Sequence, residues 1–283
     1  MSKAFKSPNL ESKSVEELTS ELLEAHSKLQ ALQREREMML ANISHDLRAP
    51  ITAIRSAVDL ALSSDNIPAA ETKKILSLID RRTASLEDLI NDMYYLFSVE
   101  DASHSLNLTP VDACTFLEEY YYDAIVDSRY DRFDMQLDVP CDLSCTINIE
   151  PQKIVRVLDN LMTNAAKYAG EKATYIRLGA NISIISTLDN ESKEKSSSTS
   201  GSQLIITVSD NGNGIAPEAL PHIFTRTYTV SNARTPGESS GSGLGLSIAR
   251  AIIERHGGTI CAESTLGEGT TFTVSLPCSC SQS

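Results

Sequence analysis

The stretch MMLANISHDLRAPI, residues 38–51, decides how the first part of the chain folds. Apolar residues recur in and after it every three or four positions, as Leu40, Ile43, Leu47, Ile51, Ile54 and Val58. This spacing predicts an α-helix with one buried face. At about 100° per residue, His45 falls on the opposite, solvent-facing side, beside the carboxylate of Asp46. Pro50 lies in the helix interior, where it lacks an amide donor, and we expect it to bend the helix.

Two further apolar repeats flank this stretch. Upstream, Val15, Leu18, Leu22, Ala25, Leu29 and Leu32 alternate steps of three and four, which is typical of a coiled coil. We therefore expect residues 1–37 to be an N-terminal segment followed by a coiled-coil signalling helix. Downstream, after turn-forming residues 63–68, a second helix has Ile75, Ile79, Arg82, Leu86, Leu89, Met93 and Leu96 on one face. The two apolar stripes are too wide to cover each other alone, so residues 38–98 predict a helical hairpin that pairs with a second copy as a dimeric four-helix bundle.

The rest of the chain mixes helices and strands. After a linker at residues 99–110, a domain at 111–278 precedes a short tail, 279–283. Its predicted helices are Val111–Tyr130, Pro151–Tyr168 and Leu244–His256; its predicted strands are Met135–Val139, Ser144–Ile149, Tyr175–Ile185, Leu204–Ser209, Thr259–Glu263 and Thr270–Leu276. Residues 186–203 are rich in serine, lysine and glutamate and predict a flexible loop without catalytic content. The fold class is α+β: a helical hairpin, then an α/β sandwich with a mixed, mostly antiparallel sheet.

Composition narrows the function classes. The net charge of −13 argues against nucleic acid or an anionic membrane surface as a partner. No apolar run approaches the roughly 20 residues that span a bilayer, so we expect this piece to make no membrane contact. The 6 cysteines form no pair of CxxC units and lie at no ligand spacing from a histidine, which indicates thiols in a reducing compartment.

Three patterns in the second half suggest a nucleotide site. In the helix ending at Tyr168, Asn160, Asn164 and Lys167 share one stripe; a carboxamide oxygen suits Mg²⁺ bridged by phosphate, and a lysine neutralises phosphate charge. In DNGNG, residues 210–214, Asp210 can accept a hydrogen bond from an amino group while Gly212 and Gly214 permit a tight turn, although such a string alone is more often a plain turn.

The third pattern is GSGLGL, residues 241–246, which leads into a helix. Gly241, Gly243, Leu244 and Gly245 would expose backbone N–H groups to phosphate at a helix N-terminus. A dinucleotide-binding fingerprint is the rival interpretation, but these glycines do not follow a strand, and a Gly-Lys-Ser/Thr loop is absent.

The stretch SHDLRAP around His45 resembles the phospho-acceptor box of sensor histidine kinases of two-component systems. Downstream boxes follow in that family's order, so the resemblance covers residues 12–277. It implies a gyrase/chaperone-like ATP-binding catalytic domain with an ATP lid at 222–241. It also implies that His45 accepts phosphate, Asn164 binds Mg²⁺, Asp210 contacts adenine, and Thr270, in GEGTTF at 267–272, helps hold Asp210.

The resemblance further implies ATP as donor and Mg²⁺ as cofactor. The expected partners are a second copy of the chain and a response-regulator receiver domain, whose aspartate takes the phosphoryl group. The location would be cytoplasmic, either as a separate protein or as the inner part of a membrane receptor.

The sequence departs from the family pattern in the lid, where Thr227 and Thr229 replace a usual phenylalanine and a phosphate-facing arginine. Arg226 and Arg234 are candidates to substitute for the missing cation. This departure keeps open a degenerate ATP-binding scaffold or phosphotransfer dimer with weak catalysis. An ATPase or serine kinase of the related fold is a third hypothesis, which the stretch around His45 disfavours.

Overall fold

A computed structural model describes residues 15–63, 67–100, 106–140, 144–185, 201–225, 228 and 243–280. Two long helices come first: α1, Val15–Ser63, and α2, Ala69–Glu100. Pro50 lies inside α1 and does not end it. The chain divides into two compact units after Ala49, so the second unit begins at Pro50 within this helix.

The apolar face predicted for α1 is covered only in part. Ile43 and Ala57 are buried, whereas Leu40, Ile51 and Val58 are 46%, 51% and 38% exposed. Within the described part of one chain these three side chains stay exposed, and the predicted burial of this face by a second copy stays a prediction. More of the apolar face predicted for α2 is covered, since Ile75 and Leu89 are buried and Ile79 and Leu86 are half-buried.

The remaining elements form a mixed sheet with helices packed on it. The strands are β1 Thr109–Asp112, β2 Asp134–Asp138, β3 Cys145–Ile149, β4 Tyr175–Ile185, β5 Gly201–Asp210, β6 Thr259–Thr265 and β7 Gly269–Cys280. The helices are α3 Ala113–Ala124, α4 Pro151–Tyr168 and α5 Gly245–Arg255, with 3-10 turns at Ser128–Tyr130 and Leu220–His222. The strand order is β1-β3-β7-β5-β4-β2, with β6 also paired to β7. Only the β2–β4 pair is parallel among the described strands, which confirms the predicted mixed, mostly antiparallel sheet.

The core lies between the sheet and the helices. Along β4, Ile176 and Leu178 are fully buried while Arg177 and Asn181 on the alternate positions are exposed, as a sheet covered on one face requires. The helix α4 packs on β4, β5 and α5, and α3 packs on β1 and β3. These contacts hold α4, which carries Asn160, Asn164 and Lys167, against the sheet and α5.

Several predicted boundaries are corrected. The expected linker at 99–110 overlaps α2, which reaches Glu100, and β1, which starts at Thr109. The helix expected over Val111–Tyr130 is shorter, because the Asp112 side chain caps α3 by accepting from the Thr115 N–H at 2.9 Å and the helix ends at Ala124. The loop expected at 186–203 ends earlier, since β5 begins at Gly201; residues 186–200 lie outside the described residues.

A charged contact joins α2 to the α/β part of the second unit. The Arg156 guanidinium on α4 donates to the buried carboxylate of Asp92 on α2, and it also lies 5.6 Å from the centre of the Tyr95 ring. The helix α2 packs on α5 as well. The second helix of the predicted hairpin is therefore anchored to the sheet domain by both charge and packing.

His256 supplies a pH-dependent part of the stability. Its buried ring donates from Nδ1 to the Ile252 carbonyl at 2.7 Å and accepts at Nε2 from the Glu150 N–H at 3.1 Å, so the ring is neutral. Burial lowers the pKa of His256 below its ordinary value. The unfolded chain takes up this proton below about pH 6.5, before the folded chain does. The ring's contribution to the free energy of unfolding is thus complete above that pH and falls below it.

We therefore expect the wild-type chain to lose more stability than His256→Gln between about pH 7.5 and pH 5.5. Urea midpoints at the two pH values measure the difference, and the other titrating groups cancel because both proteins contain them. Equal losses in the two proteins would show that His256 does not titrate differently on folding.

Candidate functional site

His45 lies on the solvent side of α1, as predicted. Its side chain is 64% exposed, and Nδ1 lies 3.3 Å from the Asp46 carboxylate. The neighbouring Ser44 hydroxyl turns back to the Leu40 carbonyl at 2.8 Å and so does not compete for the ring. A ring held at Nδ1 presents its other nitrogen, Nε2, away from Asp46.

One residue of the stripe on α4, Asn160, contacts the next helix, α5. The Asn160 amide donates to the Gly245 carbonyl at 3.1 Å, which joins α4 to the first turn of α5. Asn164, one turn further on, is half-buried. The Lys167 ammonium lies 5.2 Å from the centre of the Tyr168 ring. Partial desolvation by the surrounding protein lowers the pKa of Lys167. Lys167 and Tyr168 are themselves exposed residues at the end of the helix.

Asp210 ends β5 and faces Thr270 in the β5–β7 register. One carboxylate oxygen accepts from the Gly212 N–H at 2.8 Å. Burial raises the pKa of Asp210, while hydrogen bonds from the backbone of Gly212 and Thr270 oppose the rise. The result is a half-buried carboxylate, held in place by backbone donors, with Thr270 buried beside it.

The turn after Asp210 has no room for side chains. A Cβ at Gly212 would lie 2.6 Å from the Ala169 Cα, at the end of α4. Gly214 has φ +65°, and a Cβ there would run into the Thr265 carbonyl. The two glycines therefore let this turn pack directly against α4 on one side and the β6–β7 turn on the other.

Two residues that the sequence analysis missed hold this turn in place. Asn211 accepts at Oδ1 from the Thr174 and Tyr175 N–H groups, at 2.9 and 3.2 Å, which ties the turn to the start of β4. The Ser264 hydroxyl donates to the Gly269 carbonyl at 2.7 Å and accepts from the Ile215 N–H at 2.8 Å. Asn211 lies inside the quoted DNGNG string, whereas Ser264 depends on the β6–β7 register and has no local signal.

The start of α5 is the third part of the candidate site, after the stripe on α4 and the Asp210 turn. Gly243 has φ +66°, Leu244 is fully buried, and Gly245 is the first residue of the helix. A Cβ at Gly245 would lie 3.0 Å from the Asn160 side-chain oxygen. Gly241, Arg234 and most of the expected lid lie outside the described residues.

The structure thus brings the stripe on α4, the Asp210 turn and the start of α5 into one region of the second unit. Between them they offer a carboxylate, carboxamides, an ammonium group and a helix N-terminus, a combination suited to a purine and its phosphates. Within the described ranges, no three histidine, cysteine, aspartate or glutamate side chains cluster as a metal site.

Two regions of the chain match known protein families. Residues 35–102 match the family described as His Kinase A (phospho-acceptor) domain. Residues 149–279 match the family described as histidine kinase-, DNA gyrase B-, and HSP90-like ATPase. The sensor protein kinase WalK of Staphylococcus saprophyticus is 32% identical over 250 residues, which cover 88% of this chain and 38% of that protein.

The chain belongs to the sensor histidine kinase family. It spans well under half the length of this WalK relative. Two solved structures share the fold. Histidine kinase ThkA in complex with response regulator TrrA has a TM-score of 0.63 and 22% sequence identity, and the match covers 88% of this chain and 66% of that one. Full-length ShkA in complex with AMPPNP has a TM-score of 0.56 and 20% sequence identity, and the match covers 90% of this chain and 46% of that one. None of the helices in the described part of this family member is both long enough and apolar enough to cross a membrane.

Proposed function

We propose that the chain is an ATP-dependent protein histidine autokinase that phosphorylates His45. The observation that carries the proposal is the His45–Asp46 pair, in which an exposed ring is held at Nδ1 with Nε2 left for reaction. Family membership supports the assignment, because one matched region contains this histidine and the other contains the Asp210 turn.

In the proposed step, the lone pair of His45 Nε2 attacks the γ-phosphorus of ATP. The bond from that phosphorus to the bridging oxygen breaks, and ADP leaves with the bond's electron pair. The ring becomes positively charged as the new N–P bond forms, and Asp46 stabilises that charge through the Nδ1 proton. The same carboxylate selects the tautomer in which Nε2 carries no proton.

The nucleotide is held by the second unit in this proposal. Asp210 accepts from the adenine amino group, while Lys167 and the N-terminus of α5 face the phosphates. Mg²⁺ bound at the Asn164 carboxamide and the phosphates would neutralise charge on the transferred group, and a neutral oxygen on a half-buried helix position fits that ion. Asn160 orders α5 through Gly245, and Tyr168, Gly241, Gly243, Leu244 and Arg234 complete the proposed site. The full-length ShkA structure, which contains AMPPNP, is consistent with nucleotide at this fold.

Two partners follow from the same proposal. A second copy of the chain would cover Leu40, Ile51 and Val58, which one chain leaves exposed. The proposal therefore includes a homodimeric four-helix bundle. A response-regulator aspartate would then receive the phosphoryl group, as the ThkA–TrrA complex suggests by analogy. The domain limits 38–98 and 111–278 stay predictions.

Incubation of the full chain with γ-labelled ATP and Mg²⁺ tests the proposal. We expect acid-labile, alkali-stable label on the wild type and none on His45→Gln. His26→Gln is the matched control, because His26 is also an exposed histidine on α1, and it should label normally. Acid-stable label would indicate a hydroxyl kinase, and nucleotide binding without label would indicate a degenerate scaffold.

A further inference from the structure

Three polar residues form a row across the sheet where the Asp210 turn begins. In the strand registers, Asp210 on β5 lies opposite Thr270 on β7, and Thr270 lies opposite Ser264 on β6. Residues directly opposite one another on antiparallel strands share one face of the sheet. Thr270 is buried, and its two neighbours in the row are half-buried. Thr270 therefore has a carboxylate on one side and a second hydroxyl on the other.

The hydrogen bonds of Ser264 fix the direction of the bond between the two hydroxyls. Ser264 donates its one proton to the Gly269 carbonyl at 2.7 Å, because a carbonyl can only accept. The same oxygen accepts from the Ile215 N–H at 2.8 Å. The Thr270 hydroxyl oxygen lies 3.0 Å from it, and since the Ser264 proton is already used, Thr270 is the donor of this pair. The Thr270 hydroxyl thus has no proton left for another group.

The position of this proton decides which purine edge the row can bind. The carboxylate of Asp210 only accepts hydrogen bonds, and the Thr270 oxygen, with its proton held by Ser264, also only accepts. The 6-amino group of adenine has two N–H donors, whereas the 6-oxo group of hypoxanthine or guanine has none. The row therefore favours a 6-amino purine. A Thr270 hydroxyl that was free to rotate would instead be able to donate to a 6-oxo group.

We propose that Ser264 is a positioning residue that strengthens the preference of the site for adenine over 6-oxo purines by holding the proton of the Thr270 hydroxyl. This role rests on the proposed function, in which Asp210 contacts the base. Ser264 does not touch the base and acts through Thr270. Its bonds to Ile215 and Gly269 support the turn as well, but that support acts on every purine nucleotide alike.

Calorimetric titration of the full chain with ATP and with ITP, both in Mg²⁺, tests the role of Ser264. The two nucleotides differ only in the 6-substituent and the proton on N1, so the ratio of their affinities isolates recognition at this edge of the base. We expect the wild type to prefer ATP and Ser264→Ala to reduce that preference by about tenfold, the size of one hydrogen bond. A loss of affinity for both nucleotides at an unchanged ratio would overturn the proposal, because Ser264 would then only support the turn. A wild-type chain that binds neither nucleotide would instead contradict the proposed function itself.

A second hydroxyl pair on the same two strands provides the matched control. The Thr259 and Ser275 side-chain oxygens lie 3.0 Å apart at the other end of β6, outside the proposed site. Ser275→Ala removes a pair of the same kind and should leave the ratio of ATP to ITP affinity at the wild-type value. Ser264→Thr keeps the hydroxyl and should also keep the ratio. Equal changes in Ser275→Ala and Ser264→Ala would mean a general loosening of the sheet and would contradict the proposal.

A double variant tests whether Ser264 acts through Thr270. Thr270→Val removes the second hydroxyl, so adding Ser264→Ala to it should change the ratio no further. A further change as large as that of Ser264→Ala alone would contradict the assigned route. If Ser264→Ala does not fold, Ser264→Cys takes its place, because a thiol fills the position but is only a weak acceptor. The ratio should fall in the folded Ser264→Cys chain, and an unchanged ratio there would overturn the proposal.

Discussion

Asp210→Asn is expected to weaken ATP binding by about 100-fold, because it removes a charge-assisted hydrogen bond and sets a donor against the adenine amino group. The substituted side chain keeps one oxygen, so the bond from the Gly212 N–H at 2.8 Å can persist. The fold should therefore survive. Calorimetric titration of the full chain with ATP measures the affinity, and the melting temperature without nucleotide reports the fold.

Asp138→Asn is the control for Asp210→Asn. Asp138 also ends a strand, β2, but it is exposed and lies outside the proposed site. Its substitution should leave ATP affinity within about twofold of the wild type, as expected for a distant surface charge. If Asp210→Asn binds ATP as well as Asp138→Asn does, then the carboxylate at the end of β5 does not contact the base.

Gly214→Ala is expected to abolish measurable ATP binding and to lower the free energy of unfolding by at least about 3 kcal/mol. The left-handed φ of +65° alone costs an alanine about 1–2 kcal/mol. The added Cβ would also collide with the Thr265 carbonyl, so the turn must move away from β6. Movement of this turn displaces both Gly212 and Asp210. Urea unfolding and ATP titration measure the two effects.

Gly267→Ala separates backbone strain from collision. Gly267 has φ +86°, also in the left-handed region, but a Cβ there would meet nothing within 4 Å. This variant should lose only about 1–2 kcal/mol and keep its nucleotide affinity. Equal losses at Gly214 and Gly267 would mean that the close approach of the Asp210 turn to β6 is unimportant.

The elements with strong local patterns were predicted well. The helix Pro151–Tyr168 and the strand Tyr175–Ile185 match to the residue, because each has an uninterrupted helical or alternating pattern and a defined start. The solvent-facing position of His45 followed from the same helical spacing. These features depend on neighbours in sequence, which a single chain reveals.

The features that were missed depend on distant pairing. The strand β1 is only four residues long, contains Pro110, and exists because it pairs with β3, whose residues lie 34 to 40 positions away. The early end of α3 is the exception, because it is local: Asp127 accepts from the Arg129 N–H at 2.9 Å and starts a new turn. Ser264 joins the site only through the register that places it opposite Thr270. The exposed apolar side chains of α1 show the same limit, since a single chain cannot reveal what covers them.

The reverse reaction tests most directly whether the imidazole of His45 and the Asp210 pocket act in one reaction. The chain is labelled with γ-labelled ATP, freed of nucleotide, and mixed with ADP and Mg²⁺, and both the chain and the solution are then counted. The account predicts that label leaves His45 and appears as ATP, because an N–P bond retains enough transfer potential to phosphorylate ADP. Label that stays on the chain with ADP bound, or that maps under alkaline conditions to a residue other than His45, would contradict it.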